Sequence, residues 1–331
     1  MPLRFGLLGM WHTHAHGLVR QLALHPQEFC LLGCFDPDPA VAADRYARWK
    51  QLLPELRLCS SPEELLALPL DAVAVEGVVA DNVRWGRLAL ESGRPVLLEK
   101  PAGTSYAQFE ALLELARQRR LHVQMAYLFR YMSAVVRLRQ LAAVGALGRI
   151  YHFSARLPKD YTLYAEYVAE LGRYRGGIFF EMAGHVVDLA VALLGPPRRV
   201  VSLLCHHHSQ PGTFIDNGVA LLEFEHALGT IEVSALETAP DSRRIEVFGT
   251  AGAAVIPHLG SGHLKNDAVQ PIEVYLAGRA GWHRETPPAQ TLHICDLREF
   301  AAVVAGSKPP EFSMEHDLAV QRTLLEACHM L

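Results

Sequence analysis

The chain has 331 residues, of which 50% are hydrophobic and 20% charged, and its formal net charge at pH 7 is -4. This length and apolar fraction are enough for two domains, each with its own core. The acidic balance, without a basic stripe that could neutralise phosphates, argues against a nucleic-acid partner. Six cysteines without a C-x-x-C pair are typical of reduced core thiols, so we expect a cytoplasmic protein.

The first 125 residues alternate short apolar runs with longer helical segments, which is the pattern of a parallel sheet with crossover helices. Gly93 follows the helical segment 81–91 as a stop signal, and Ser105 with Gln108 forms a capping box for the next helix. We therefore predict a doubly wound dinucleotide-binding domain over 1–125, with ligands at the carboxyl ends of its strands. Its strands are expected at 3–8, 29–35, 71–75, 96–98 and 121–125.

Gly9 stands where the first strand meets the first helix, the place where such a domain presents helix amides to a pyrophosphate. The glycine fingerprint is incomplete, because Trp11 and His14 occupy the second and third glycine positions. Asp36 ends the second strand, where a carboxylate either binds the adenosine ribose or serves a turn or helix cap. Its acidic and proline neighbours, with no adjacent arginine, favour NAD over NADP.

His12, His14 and His16 form an H-x-H-x-H run at the same strand end. An H-x-H pair can supply two metal ligands, as in barrel-type metal-dependent hydrolases. Too few strand–helix units precede the sheet-rich half for an eight-fold barrel, and no later strand-end series completes such a site. We therefore interpret the run as a histidine-lined helix start near a phosphate, with no metal; a hydrolase using His12 and His14 is the weaker alternative.

Glu99, Lys100 and Pro101 follow the predicted strand at 96–98, so Lys100 emerges at the edge of the sheet where a ligand would lie. The proline restricts the backbone of the lysine before it and helps to hold that side chain in one place. The alternative is an ordinary solvated lysine.

Beyond Tyr131 the pattern changes to a helix ending near Val144, a break at Gly145 and Gly148, and alternating strand-like runs from 198 to about 275. Two closing helices are expected at 292–305 and 314–330. We predict a second α/β domain over 126–331 with an open, largely antiparallel sheet. The uncovered face of such a sheet predicts association into a homodimer or homotetramer.

Between Gly176 and Gly195 the chain is almost entirely apolar, yet it carries Glu181, His185 and Asp188. On a helix these three side chains lie within about 60° of one another and form one polar stripe. Because a buried charge needs water or a partner, the stripe either faces a wet cleft or is paired internally. Three central ionisable groups also argue against a membrane span.

The loop 158–175 is rich in tyrosine and arginine and includes Tyr161 and Arg173. Flat amphipathic and hydrogen-bonding groups of this kind suit hydroxyl-rich ligands such as sugars or cyclitols. Arg173 adds recognition of a carboxylate or phosphate. A subunit contact is the alternative interpretation.

Several short motifs occur along the chain in a characteristic order and spacing. They are Asp71-Ala72-Val73, Glu99-Lys100-Pro101, Phe129-Arg130, the segment 145–150, Gly176-Gly177, the striped helix and the segment 248–252. Together they resemble the Gfo/Idh/MocA oxidoreductase family, which implies an N-terminal Rossmann domain and a C-terminal α/β domain with an open mixed sheet.

The resemblance implies that Lys100 contacts substrate and nicotinamide, that His185 is the general acid/base, and that Glu181 orients the imidazole. Glu181 stands where the family usually has aspartate. The expected reaction is hydride transfer between NAD and a secondary alcohol of a sugar, cyclitol or related polyol. A non-catalytic binding or regulatory member is the alternative, because the glycine loop and the loop after Val75 depart from the family pattern. The implied contacts are Gly9, Trp11, His12, Asp36, Glu99 and Lys100 for the cofactor, and Lys100, Arg130, Tyr161, Arg173 and Asp188 for the substrate.

Overall fold

A computed structural model describes residues 1–160, 162, 165–208, 212–237, 242–259 and 270–331. The chain divides into two compact units, and each contains one sheet. The first unit is Met1–Ala126 with His293–Met314, and the second is Tyr127–Leu292 with Glu315–Leu331. The predicted fold class, a Rossmann-type parallel sheet plus an α/β domain with a largely antiparallel sheet, is confirmed. Residues 293–314 thus belong to the first unit, although they follow most of the second unit along the chain.

The sheet of the first unit has six parallel strands in the order β3-β2-β1-β4-β5-β6. Strands β4 and β5 are buried along their whole length, which explains their continuous apolar runs. The strand order reverses at β1, and ligands of doubly wound sheets bind at such a switch point. The strands are β1 (Leu3–Leu8), β2 (Phe29–Phe35), β3 (Arg57–Leu58), β4 (Ala72–Val75), β5 (Val96–Leu98) and β6 (Val123–Met125).

Local capping signals set the ends of the helices in this unit. Asp38 Oδ1 accepts the Ala40 amide at 2.8 Å, and Ser105 Oγ accepts the Gln108 amide at 3.4 Å. Gly93, two residues after α4, has a φ of +82°, which glycine adopts without strain. The helices are α1 (His14–Leu24), α2 (Pro39–Leu52), α3 (Pro62–Leu66), α4 (Val79–Glu91) and α5 (Tyr106–Arg119).

A helix near the end of the chain, α9 (Leu292–Val304), completes the core of the first unit. The Phe300 ring lies 5.7 Å from the Phe5 ring, and the Gln124 amide donates to Asp296 Oδ1 at 2.8 Å. The second contact joins residues 172 positions apart. Packing between such distant segments leaves no local pattern in the sequence.

The sheet of the second unit has eight strands in the order β14-β13-β12-β11-β7-β10-β9-β8. Strands β7 and β10 pair in parallel, and the other neighbours pair antiparallel. Strands β9 and β10 form an antiparallel hairpin. The strands are β7 (Ile150–Pro158), β8 (Arg199–Cys205), β9 (Asn217–Glu223), β10 (Leu228–Ser234), β11 (Arg244–Gly249), β12 (Gly252–Ile256), β13 (Ile272–Leu276) and β14 (Trp282–Glu285).

The striped segment forms α8 (Gly177–Leu194), which packs on β7, β9 and β10. Its first residue has a φ of +48°, and a Cβ there would lie 2.3 Å from the Ile215 carbonyl oxygen, so only glycine fits. This helix has the length and hydropathy of a membrane span, but 83% of it is buried within the structure, as in a core helix. The other helices are a 3-10 helix (Leu128–Tyr131), α6 (Ser133–Ala143), α7 (Val168–Leu171) and α10 (Met314–Ala327).

The face of this sheet opposite α8 exposes apolar side chains. Val201, Leu203 and Leu221 are 47%, 75% and 55% exposed. Register places Val201 beside Leu221, so these side chains form one patch. A patch of this kind is typical of a surface that another molecule covers.

Candidate functional site

The loop after β1 meets the loop after β4 at two glycines. Gly9 has a φ of +78°, and a Cβ on it would lie 2.3 Å from the Gly77 Cα. Close by, the His12 amide donates to the Glu76 carbonyl at 2.9 Å. The contact between the two loops therefore requires glycine at position 9, independently of any contact that Gly9 makes with a ligand.

Asp36 lies just after β2 and ties that strand end to the glycine loop. Its Oδ2 accepts the Met10 amide at 2.6 Å, and its Oδ1 accepts the Asp38 amide at 2.9 Å. Burial raises the pKa of this carboxyl, although the two amides oppose the shift. The predicted ribose contact would use the remaining lone pairs of the same oxygens.

Helix α1 begins at His14, directly after the glycine loop. Thr13, the N-cap residue, makes no side-chain capping bond, and the first turn carries no acidic residue. The amino-terminal end of a helix has a positive partial charge and exposed amides that suit an anion. Trp11 is half-buried beside this end, with its ring 6.3 Å from the His12 ring.

The three histidines of the H-x-H-x-H run have different partners. His12 Nδ1 and His14 Nδ1 lie 3.4 and 3.0 Å from Glu99 Oε1. His16 instead accepts the Trp49 indole N–H at 3.2 Å, and burial lowers the pKa of its imidazole. Two of the three therefore face the same carboxylate, and the third belongs to the packing of α1.

Lys100 is buried at the carboxyl end of β5, with 1% of its surface exposed. Its Nζ lies 3.8 Å from Glu99 Oε1, and the peptide bond to Pro101 is cis. The solvated lysine that the sequence left open is wrong. A buried ammonium beside a buried carboxylate is retained when partners or function require it.

Glu76, at the end of β4, is a further buried carboxyl that the sequence analysis did not select. Its Oε2 lies 3.7 Å from His12 Nδ1. Burial, and then the negative charge of Glu99, raise the pKa of Glu76 to about 8. The signal was available, since Glu76 follows a buried strand in the same way that Glu99 does.

In the second unit, His185 is packed between aromatic rings. Its imidazole stacks on Phe129 with ring centroids 4.3 Å apart and planes 13° apart, and the Tyr127 ring meets it edge-on at 6.0 Å. His185 is 3% exposed and Glu181 is 6% exposed. The aromatic contacts fix the plane of the imidazole. The orienting role predicted for Glu181 stays a prediction.

Asp188, the third residue of the stripe, belongs to a buried ion cluster. Arg130 Nη2 lies 2.6 Å from both Asp188 Oδ1 and Asp317 Oδ1, and His316 Nε2 lies 2.8 Å from Asp188 Oδ1. Burial opposes ionisation of Asp188, but Arg130 and His316 together lower its pKa. The cluster ties α8 and α10 to the 3-10 helix that carries Phe129. Asp317 and His316 carry no distinguishing pattern in the sequence.

The sequence also predicted substrate contacts at Arg173 and Tyr161. Arg173 pairs with Glu170 at 2.9 Å and its side chain is 74% exposed. Tyr161 lies outside the residues that the structure describes. The substrate roles of Arg130 and Asp188 stay predictions, and in this structure each is the other's ion-pair partner.

Comparison with known proteins relates this chain to oxidoreductases. Residues 135–255 match the GFO/IDH/MocA C-terminal domain. A sugar 3-reductase of Streptomyces violaceoruber, dTDP-3,4-didehydro-2,6-dideoxy-alpha-D-glucose 3-reductase, is 32% identical over 191 residues, which cover 56% of this chain and 55% of that enzyme. The chain thus aligns with about half the length of that relative. The match over residues 135–255 and these oxidoreductase relatives relate the chain to Gfo/Idh/MocA-type oxidoreductases.

Two further relatives extend the likeness over more of the chain. The scyllo-inositol 2-dehydrogenase (NAD(+)) of Bacillus subtilis is 24% identical over 75% of this chain and 72% of its own length. The solved structure of UDP-N-acetylglucosamine 3-dehydrogenase from Acidithiobacillus ferrooxidans superposes with a TM-score of 0.79. That match covers 100% of this chain and 98% of the other at 19% identity, so it supports the fold.

Proposed function

We propose that this chain is an NAD-linked oxidoreductase that transfers a hydride between nicotinamide and a secondary alcohol of a sugar, cyclitol or related polyol. The observation that carries the proposal is the buried Lys100 at the carboxyl end of β5, in a sheet with Rossmann strand order. A cation at this edge is placed for a ligand bound at the switch point. The named relatives, which are dehydrogenases and reductases of sugars and inositol, support the same chemistry.

The residues around β1 fit a dinucleotide. Gly9 keeps the β1–α1 loop close to the loop after β4, and the start of α1 suits a pyrophosphate. Asp36 places a carboxylate at the end of β2, which favours the two ribose hydroxyls of NAD and repels the 2′-phosphate of NADP. Trp11, His12 and Glu99 complete the proposed cofactor contacts. The nicotinamide, when bound, accepts or returns the hydride.

In the proposed reaction the hydride leaves the alcohol carbon for nicotinamide, while the hydroxyl proton passes to His185. Histidine suits this transfer because the ordinary pKa of imidazole lies near neutral pH. Lys100 stabilises the negative charge that develops on the alcohol oxygen. Glu181, four residues before His185 on α8, is the proposed orienter of the imidazole.

The substrate class we propose is a nucleotide sugar or a cyclitol. The names of the relatives point to dTDP-sugar, UDP-sugar and inositol substrates, all of which carry secondary alcohols or the corresponding ketones. Arg173 is exposed and could contact a phosphate of a nucleotide sugar, and Tyr161 could hydrogen-bond to hydroxyl groups.

Calorimetric titration tests the cofactor part of this proposal. We expect NAD⁺ to bind at least tenfold more tightly than NADP⁺, and D36A to reduce that ratio because it removes the repulsion of the 2′-phosphate. D44A is the matched control, since Asp44 pairs with Arg48 on the exposed face of α2 and should leave the ratio unchanged. Absence of NAD⁺ binding at millimolar concentration would favour the non-catalytic alternative.

The exposed patch around Leu203 and Leu221 supports association of the chain with a second copy, as a homodimer or homotetramer. Sedimentation of the purified chain tests this: we expect an oligomer that L203E dissociates. A monomeric wild-type chain, or an oligomer that L203E leaves intact, would show that the patch is not the interface. The six free cysteines support a cytoplasmic location, because thiols stay reduced there.

A further inference from the structure

Four side chains at the ends of three strands bring metal-ligating atoms together in the first unit. They are His12 from the β1–α1 loop, His14 at the first residue of α1, Glu76 after β4, and Glu99 after β5. Glu99 Oε1 lies 3.0 Å from His14 Nδ1 and 3.4 Å from His12 Nδ1, and Glu76 Oε2 lies 3.7 Å from His12 Nδ1. Atoms of His12, His14 and Glu99 all lie within 4.8 Å of one another.

These separations are close to the distances between neighbouring ligand atoms in a tetrahedral metal site. Zinc binds histidine nitrogen and carboxylate oxygen at about 2.0–2.2 Å in tetrahedral geometry, which places neighbouring ligands roughly 3.4 Å apart. The separations of His12 Nδ1 from Glu99 and Glu76, 3.4 and 3.7 Å, lie at or just above that value, whereas the 3.0 Å between His14 and Glu99 is also a hydrogen-bond distance. Side chains brought together only by packing need not show such spacing.

Burial and charge give a second, independent reason. Glu76 and Glu99 are 3% and 1% exposed, and Lys100 is the lysine that lies near them. Glu76 Oε2 is fully buried and makes no hydrogen bond to the residues that the structure describes. A buried carboxylate oxygen in that position costs free energy unless a cation or a donor compensates it. This oxygen points toward His12.

We propose that His12, His14, Glu76 and Glu99 bind one divalent transition-metal ion of the zinc type. Two imidazoles with two carboxylates are a ligand set that suits Zn²⁺, Fe²⁺ or Co²⁺ rather than Mg²⁺ or Ca²⁺. His14 is the most accessible of the four, with 25% of its side chain exposed, and marks the entry side. Binding replaces the hydrogen bond that His12 Nδ1 accepts from the His14 amide at 3.2 Å.

A second cluster of similar composition shows what distinguishes this one. Asp188, His316 and Asp317 also bring ligand atoms within 4.8 Å, but the Arg130 guanidinium lies 2.6 Å from both carboxylates. A cation already occupies the position that a metal would take there. In the His12 cluster the cation contact is longer, with Lys100 Nζ 3.8 Å from Glu99 Oε1.

The bound ion would join the ends of β1, β4 and β5 at the edge of the sheet where the cofactor is proposed to bind. Its effect is therefore on the stability of these loops, since an ion that binds only the folded chain stabilises it. Metal binding at this site does not depend on hydride transfer. It also gives no support to the metal-dependent hydrolase, because the fold is not an eight-fold barrel.

The test uses Co²⁺, whose visible absorption bands report four-coordinate nitrogen and oxygen ligation. Full-length protein treated with a chelator is titrated with CoCl₂ in buffer without NAD. We expect one Co²⁺ per chain with a dissociation constant in the micromolar range or tighter, displacement by Zn²⁺, and a higher unfolding temperature with either ion.

Matched variants show which side chains bind the ion. H14Q and E76Q, which keep side-chain size, should each weaken Co²⁺ binding by about ten- to a hundredfold or more, whereas H16Q from the same run should leave it unchanged. Unfolding of each chelator-treated variant shows whether it is folded. The proposal fails if wild-type protein shows no saturable binding, if folded H14Q and E76Q bind as wild type does, or if H16Q abolishes binding equally.

Discussion

Replacement of His185 by alanine is expected to lower the turnover number by about two to four powers of ten, with a modest loss of NAD affinity. The imidazole is the proposed acceptor of the hydroxyl proton, and without it the proton must leave to water. His185 is held in plane by Phe129 at 4.3 Å, so the transfer group is already oriented in the structure. The measurement is the initial rate of NADH formation with saturating NAD⁺ and substrate.

H122A is the matched control, because His122 is a half-buried histidine of the first unit with no proposed role. It should keep most of the wild-type turnover. If H185A turns over at a near-wild-type rate while remaining folded, His185 has no part in proton transfer. If H122A loses as much activity as H185A, the loss reflects removal of a buried imidazole rather than catalysis.

Replacement of Lys100 by methionine should lower the turnover number by about two to three powers of ten. Methionine keeps much of the side-chain volume but removes the charge proposed to stabilise the developing alkoxide. The same change leaves Glu99 without its neighbouring ammonium, so K100M should also unfold at a lower temperature. The two effects are separated by measuring turnover well below the unfolding temperature.

K308M removes an exposed lysine that pairs with Glu299, and it should change neither quantity appreciably. The account of Lys100 is contradicted if folded K100M retains wild-type turnover. A loss confined to KM, with turnover unchanged, would make Lys100 a binding group that contributes equally to the ground state and the transition state.

The sequence was sufficient to predict the strands of the parallel sheet, because buried parallel strands are short apolar runs between well-marked helices. The strand at Arg57–Leu58 was missed, since two exposed residues at a sheet edge leave no apolar pattern. The packing position of α9 was also missed, because Phe300 packs on Phe5, a residue near the other end of the sequence.

The sequence identified which residues of the candidate site carry chemistry, but it did not identify the side chains that each of them contacts. Lys100 and His185 stand at positions that strand ends and helix periodicity mark, so they could be selected. The stripe on α8 offered two interpretations, and the pairing of Asp188 with Arg130 supports internal pairing for that residue. The different environments of His12, His14 and His16 depend on residues from three other elements, which no local spacing encodes.

Hydride transfer to nicotinamide can be followed with an isotope that passes from the substrate carbon to the cofactor. The chain is incubated with NAD⁺ and a panel of nucleotide sugars and cyclitols that carry deuterium at each secondary alcohol carbon, and the NADH is analysed by mass spectrometry. The account predicts one deuterium on nicotinamide for each alcohol oxidised, with the label lost in H185A because turnover is lost. A ketone product formed alongside unlabelled NADH, or no oxidation of any member of the panel by protein that binds NAD⁺, would contradict it.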